Sequence, residues 1–243
     1  MARTILLAIE TSTKYCSVAL LYSSNFRDLD NTRYTRFPIV LDSEYWIRHE
    51  LTGVMSSTRV LPAISELFNE SGFKLSDCDA IAFGSGPGSF TGLRIATGVV
   101  QGLAFGLSKP VIPVSTLLAC AEQARHRAPD ISRVLTAIDA RMNEVYWADY
   151  SWNHTVGNWH AIYPATLSPP DSLQVPNVPF TLAGNAAEIF GSTLLATKKA
   201  ASIDHEALPH ALSIAYLALR AYRAGYMLPA DLAIPYYIRN NFV

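Results

Sequence analysis

The chain has 243 residues, half of them hydrophobic, and a formal net charge of -1 at pH 7. That is enough apolar material for one large core or two smaller ones, and the near-neutral balance speaks against a protein that grips nucleic acid by its own electrostatic field. Cys16, Cys78 and Cys120 are odd in number, far apart and set in or beside apolar runs. This pattern fits reduced, buried thiols rather than a disulfide framework.

The N-terminal residues run directly into a strand-like pattern without the long apolar stretch of a signal peptide, so a cytoplasmic location is expected. Arg3 to Ile9 and Cys16 to Tyr22 are apolar runs separated by Thr11-Ser12-Thr13-Lys14, which predicts a β-hairpin with a polar turn. Ser23 to Thr52 is less regular, and alternating stretches such as Tyr34 to Val40 are compatible with further strands of open register. From Ser57 onward, Val60, Leu61, Ile64, Leu67 and Phe68 recur at helical spacing up to Ser71-Gly72. Pro62 requires this helix either to start later or to kink. Ala80 to Phe83 predicts a short buried strand, followed by a glycine loop and a helix from about Phe90 to Leu107. That helix is nearly long and apolar enough to span a bilayer, but Arg94, Gln101 and its glycines favour a packed helix and no membrane.

The second half repeats the first in outline. Leu6-Leu7-Ala8-Ile9-Glu10 recurs as Leu135-Thr136-Ala137-Ile138-Asp139, each followed by a polar turn and a second strand, Val145 to Tyr150 in the later copy. Two related α/β lobes follow from this repeat, residues 1–108 and 109–243. Pro169-Pro170, Pro176 and Pro179 mark a loop-rich stretch. Leu208, Leu212, Ala215, Leu219 and Tyr222 predict an amphipathic helix near 208–225, available to pack back on the first lobe, with Gly225 as its stop.

Candidate chemistry concentrates in Gly84-Ser85-Gly86-Pro87-Gly88-Ser89-Phe90-Thr91-Gly92-Leu93-Arg94, a loop that opens a helix. Free backbone N–H groups there can receive an anion, yet the string is neither a P-loop nor a dinucleotide fingerprint. The alternative is a tight turn with Ser89 or Thr91 capping the helix. Gly98, Gly102 and Gly106 recur every four residues and cost about 1 kcal/mol each relative to alanine. A smooth ridge of this kind admits a second helix closely, either from this chain or from another subunit.

Glu10 and Asp139, at the two hairpin turns, are candidates for positioning a metal-bound phosphate between lobes, against the plainer reading of turn carboxylates in solvent. The six histidines include no pair at three- or four-residue spacing, so no helix offers two imidazoles to one metal. Ser89 lacks the spacing of a nucleophile elbow. Arg125-His126-Arg127 with Arg133 reads either as an RNA-phosphate contact or as a solvated face.

Taken together, Ala8-Ile9-Glu10-Thr11-Ser12-Thr13, the loop Gly84 to Arg94, and Ala137 to Trp147 resemble the TsaB family, formerly YeaZ, of threonylcarbamoyladenosine biosynthesis proteins. The resemblance extends through Val114-Ser115-Thr116-Leu117, Gly184-Asn185 and Pro235-Tyr236-Tyr237-Ile238-Arg239-Asn240-Asn241. It implies an actin-like, sugar-kinase-like (ASKHA) fold of two lobes, and a non-catalytic subunit that activates the paralogue TsaD together with the ATPase TsaE. It also implies a homodimer when alone, contact with tRNA only through the complex, no intrinsic cofactor, and ATP or ADP at the complex interface. The partner interface is then expected at Leu61, Ile64, Arg94, Gly98, Gly102 and Gly106. Candidate nucleotide or anion contacts are Glu10, Thr11, Ser12, Gly86, Gly88, Ser89 and Asp139, with no catalytic or metal-binding residue. An autonomous ATP-binding enzyme of the actin and sugar-kinase type is the alternative. Ser56 and Glu10 depart from the family, which more often carries histidine and aspartate there.

Overall fold

A computed structural model describes residues 3–24 and 43–239. The stretch Tyr34 to Val40, and Asn240 with Asn241, lie outside the described residues. Two five-stranded sheets are built to one plan. In the first, β1 (Thr4–Glu10) pairs antiparallel with β2 (Tyr15–Ser23), and β2 with β3 (Ser43–Leu51). On its other side β1 pairs parallel with β4 (Ala80–Gly86), and β4 with β5 (Val111–Ser115).

The second sheet repeats this plan. Its central β6 (Arg133–Asp139) pairs antiparallel with β7 (Val145–Asn153), and β7 with β8 (Asn158–Ser168). Beyond β6 lie β9 (Thr181–Ala183) and β10 (Ser202–Asp204), both parallel. The recurrence of Leu6 to Glu10 as Leu135 to Asp139 is therefore a recurrence of the central strand. Because β5 pairs with β4, the first sheet extends past residue 108 to Ser115.

Burial explains the order. Every residue of β1 is buried, as expected of a strand covered on both faces. Ile5, Leu7 and Ile9 face one core, against α1 (Ser56–Ser71) and α2 (Phe90–Leu107), while Leu6 and Ala8 face another. That second core is filled by α6 (Ala211–Arg223), through Ile214, Ala215 and Ala218, and by Ala119 of α3 (Thr116–Arg127). Leu117, Cys120, Ala121 and Ala124 of α3 cover the near face of the second sheet. α4 (Ala186–Phe190) and α5 (Leu195–Lys199) cover its far face. The middle layer, α3 and α6, thus joins both lobes.

α1 begins at Ser56 and carries Pro62 in its interior, so a late start does not occur. Gly72, at φ +74, ends it by donating its N–H to the Phe68 carbonyl. α2 is long and apolar enough to cross a bilayer. Yet Ala96, Val100 and Ala104 line one face of it, buried at helical spacing against the first sheet.

Candidate functional site

The glycine loop between β4 and α2 is packed against the chain's own β1–β2 turn. An added Cβ at Gly84 would overlap the Glu10 carboxylate, one at Gly88 the Ser12 side chain, and one at Gly92 the Thr11 carbonyl. The Thr11 hydroxyl donates to the Gly92 carbonyl at 2.6 Å, and the Ser89 N–H donates to the Ser12 carbonyl at 2.8 Å. Ser89 caps α2, its Oγ accepting from the Gly92 N–H at 3.3 Å. The loop is therefore glycine-rich because the β1–β2 turn, by side chain at Gly84 and Gly88 and by backbone at Gly92, leaves no room for a Cβ. Thr11, Ser12 and Ser89, candidate anion contacts in sequence, make these contacts within the chain.

Glu10 is buried, not a solvated turn carboxylate. Its Oε1 accepts the Ser12 N–H, while Oε2 and the Ser12 hydroxyl have no hydrogen-bond partner among the described residues. Burial pushes the Glu10 carboxyl up to about 7, against the lowering effect of its Ser12 contacts. Asp139 serves its own turn, accepting the Arg141 N–H at 2.9 Å. Gly86, at φ +119, lies against the carbonyl of Tyr236. Among the described residues no group of three or more His, Cys, Asp or Glu is placed to hold a metal.

The glycine ridge behaves differently. A Cβ added at Gly98, Gly102 or Gly106 would meet nothing within 4 Å, so no helix among the described residues lies on the ridge. Beside it, Phe105 is 82% exposed, and on α1 Leu61 is 52% exposed, as is Met55 just before it at 56%. Arg94 is exposed at the start of the ridge, its guanidinium carbon 3.9 Å from the centre of the Phe90 ring. Ile64, in contrast, is only 4% exposed and belongs to the core under α1. It is removed from the expected interface, because its place on the helix turns it toward the sheet.

Arg125, Arg127 and Arg133 of the basic run each pair with a carboxylate of the chain, Arg127 at the surface and Arg125 in the interior. Arg125 is buried and bidentate to Glu122, at 2.9 and 2.8 Å. Arg127 pairs with Asp204 and Glu206, and Arg133 with Asp149. Glu122 also accepts the indole N–H of Trp159 at 2.7 Å. Burial alone would raise its pKa, but Arg125, His126 and Arg220 together hold it well below the usual carboxylate range. No local signal marks this cluster, since Trp159 and Arg220 come from elements distant in sequence.

Comparison with known proteins places this architecture. Residues 50–242 match the family described as "TsaD: tRNA N6-adenosine threonylcarbamoyltransferase". The tRNA threonylcarbamoyladenosine biosynthesis protein TsaB of Haemophilus influenzae is 35% identical, over 99% of this chain and 96% of its own length. The chain belongs to the TsaB family. The Escherichia coli TsaB is 34% identical over 97% of this chain and 95% of its own. The solved YeaZ of Pseudomonas aeruginosa superposes with a TM-score of 0.81 at 36% identity, covering 96% of this chain and 99% of that one. The actin-like, two-lobed fold implied by the TsaB resemblance is thus the fold of this TsaB-family chain.

Proposed function

We propose that this chain is a non-catalytic subunit of tRNA threonylcarbamoyladenosine synthesis, docking on its paralogue, the threonylcarbamoyltransferase TsaD. The observation that carries this reading is the uncovered ridge of Gly98, Gly102 and Gly106 on α2. Three helix glycines impose roughly 3 kcal/mol on the isolated chain, and close helix packing against another subunit offsets that cost. α1, which packs beside α2 and exposes Leu61, is assigned to the same face. The same face serves a homodimer when the paralogue is absent. TsaE joins the assembly, ATP or ADP belongs at the subunit boundary, and tRNA is met in the cytoplasm through the complex.

The nucleotide-handling chemistry is assigned to the partners. In this chain the glycine loop is filled by Glu10, Ser12 and Tyr236, which leaves the docking face as the feature with work to do. Size-exclusion chromatography with purified TsaD from the same organism tests the proposal. The native chain is expected to co-elute with TsaD, and Gly98→Leu or Gly102→Leu to separate them, because a bulky side chain forces the helices apart. Two separate peaks for the native chain at micromolar concentration, with and without nucleotide, would overturn the role. Unchanged co-elution of both variants would overturn the surface.

A further inference from the structure

The segment after α6 runs along α2 and then crosses to the second lobe. Its Ala233 carbonyl accepts from the Gln101 side chain of α2 at 2.9 Å. The Tyr236 N–H donates to the Ser85 carbonyl at 2.7 Å. The Tyr237 ring lies 5.3 Å from that of Phe90, and its hydroxyl accepts from Arg94 Nε at 3.3 Å. Immediately afterwards Ile238 packs into the core between α3 and the second sheet. Arg239 pairs with Glu144, and its guanidinium also reaches the Met142 sulfur at 3.4 Å and the Arg141 carbonyl at 3.5 Å.

The turn so held is unusual. Arg141, Met142 and Asn143, between β6 and β7, have φ of 61, 53 and 58, three successive left-handed residues with no glycine among them. L side chains ordinarily avoid this region, and a run of three persists only where surrounding contacts impose it. Within the turn, Ala140 donates to the Glu144 carbonyl at 2.9 Å and Glu144 to the Arg141 carbonyl at 3.1 Å. Met142 itself is 74% exposed, so burial does not hold it there.

We infer that residues 233–239 are a latch between α2 and the β6–β7 turn. Arg239 keeps the turn in its left-handed form, and displacement of the segment at its α2 end releases the turn in the other lobe. The inference rests on α2 being the docking helix: Gln101 and Arg94, which anchor the latch, lie on the same helix as the glycine ridge. A partner seated on the ridge thereby acts on a turn of the second lobe through seven residues of backbone.

Backbone amide hydrogen exchange on the isolated full chain tests the latch without a partner. Arg239→Ala is expected to speed exchange at Ala140 and Glu144 about tenfold or more, from the lost charge-assisted contacts. Tyr237→Ala, at the α2 end where Tyr237 meets Phe90 and Arg94, is expected to speed the same two amides. Met142→Gly relieves strain at a left-handed position, so the double variant with Arg239→Ala is expected to return toward native exchange. Unchanged Glu144 exchange in Tyr237→Ala would overturn the coupling, and failure of Met142→Gly to rescue would overturn the strain. Amides of β1 report global unfolding; should they accelerate in Arg239→Ala, Arg239→Lys, which keeps the charge but not the planar fork, decides in its place. The docking reading fails separately, if both ridge variants still bind TsaD.

Discussion

The carboxylate of Glu122 on α3 lies 3.2 Å from the guanidinium of Arg220 on α6, in the layer between the two sheets. Glu122 is fully buried; it accepts hydrogen bonds from Arg125 and the Trp159 indole and forms an ion pair with Arg220. The Trp152 ring is stacked beneath both guanidiniums, at 4.2 and 5.0 Å. Removing the carboxylate strands the buried Arg125 guanidinium and leaves the half-buried Arg220 without its partner, which costs far more than the intact cluster contributes over an apolar one. Glu122→Ala is expected to destabilise the chain by about 3–5 kcal/mol, read from urea unfolding, with altered Trp fluorescence in the folded state. A loss below about 1 kcal/mol would mean that water already solvates the cluster.

The glycines of α2 divide into two kinds, and single alanine substitutions separate them. Gly102→Ala enters open space and is expected to stabilise the isolated chain by about 1 kcal/mol through helix propensity. Gly92→Ala places a methyl on the Thr11 carbonyl and is expected to cost about 1–3 kcal/mol. Thermal unfolding of the two variants should therefore shift in opposite directions.

Glu10 makes stability fall with rising pH. Burial raises its pKa to about 7, above the unfolded value of 4.5, so its neutral form is the one the fold prefers. That contribution is complete below the unfolded value and is lost as pH rises through about 7, at most about 3 kcal/mol in all. Glu10→Gln is expected to remove this slope, leaving stability flatter between pH 4.5 and 7 than in the native chain.

His210 acts with the opposite sign. Its Nδ1 accepts the Leu212 N–H at 3.3 Å as the N-cap of α6, and its ring is 4.4 Å from His49 of β3, itself stacked on Tyr15 of β2. Burial, then the neighbouring His49 and His126, lowers its pKa from 6.5 to about 4. Its contribution is complete above the unfolded value and is lost as pH falls from 6.5 toward 4, again about 3 kcal/mol at most. His210→Ser retains a capping oxygen without a titrating ring, and its unfolding midpoint should depend less on acid than that of the native chain.

The amino-acid sequence alone determined the two-lobe plan, the strand and helix order around the glycine loop, and the ridge on α2. Each of these is a local pattern: an apolar run, a helical period, or glycines four apart. Tertiary structure decided what the polar residues do, because their partners come from elsewhere in the chain. Ile64 follows the same periodicity as Leu61 yet faces the sheet, and Arg125 looks basic in sequence but is neutralised within a buried cluster. Arg239 meets Glu144 across 95 residues. Periodicity records which face of an element is apolar; it carries no information on which charges the folded layers bring together.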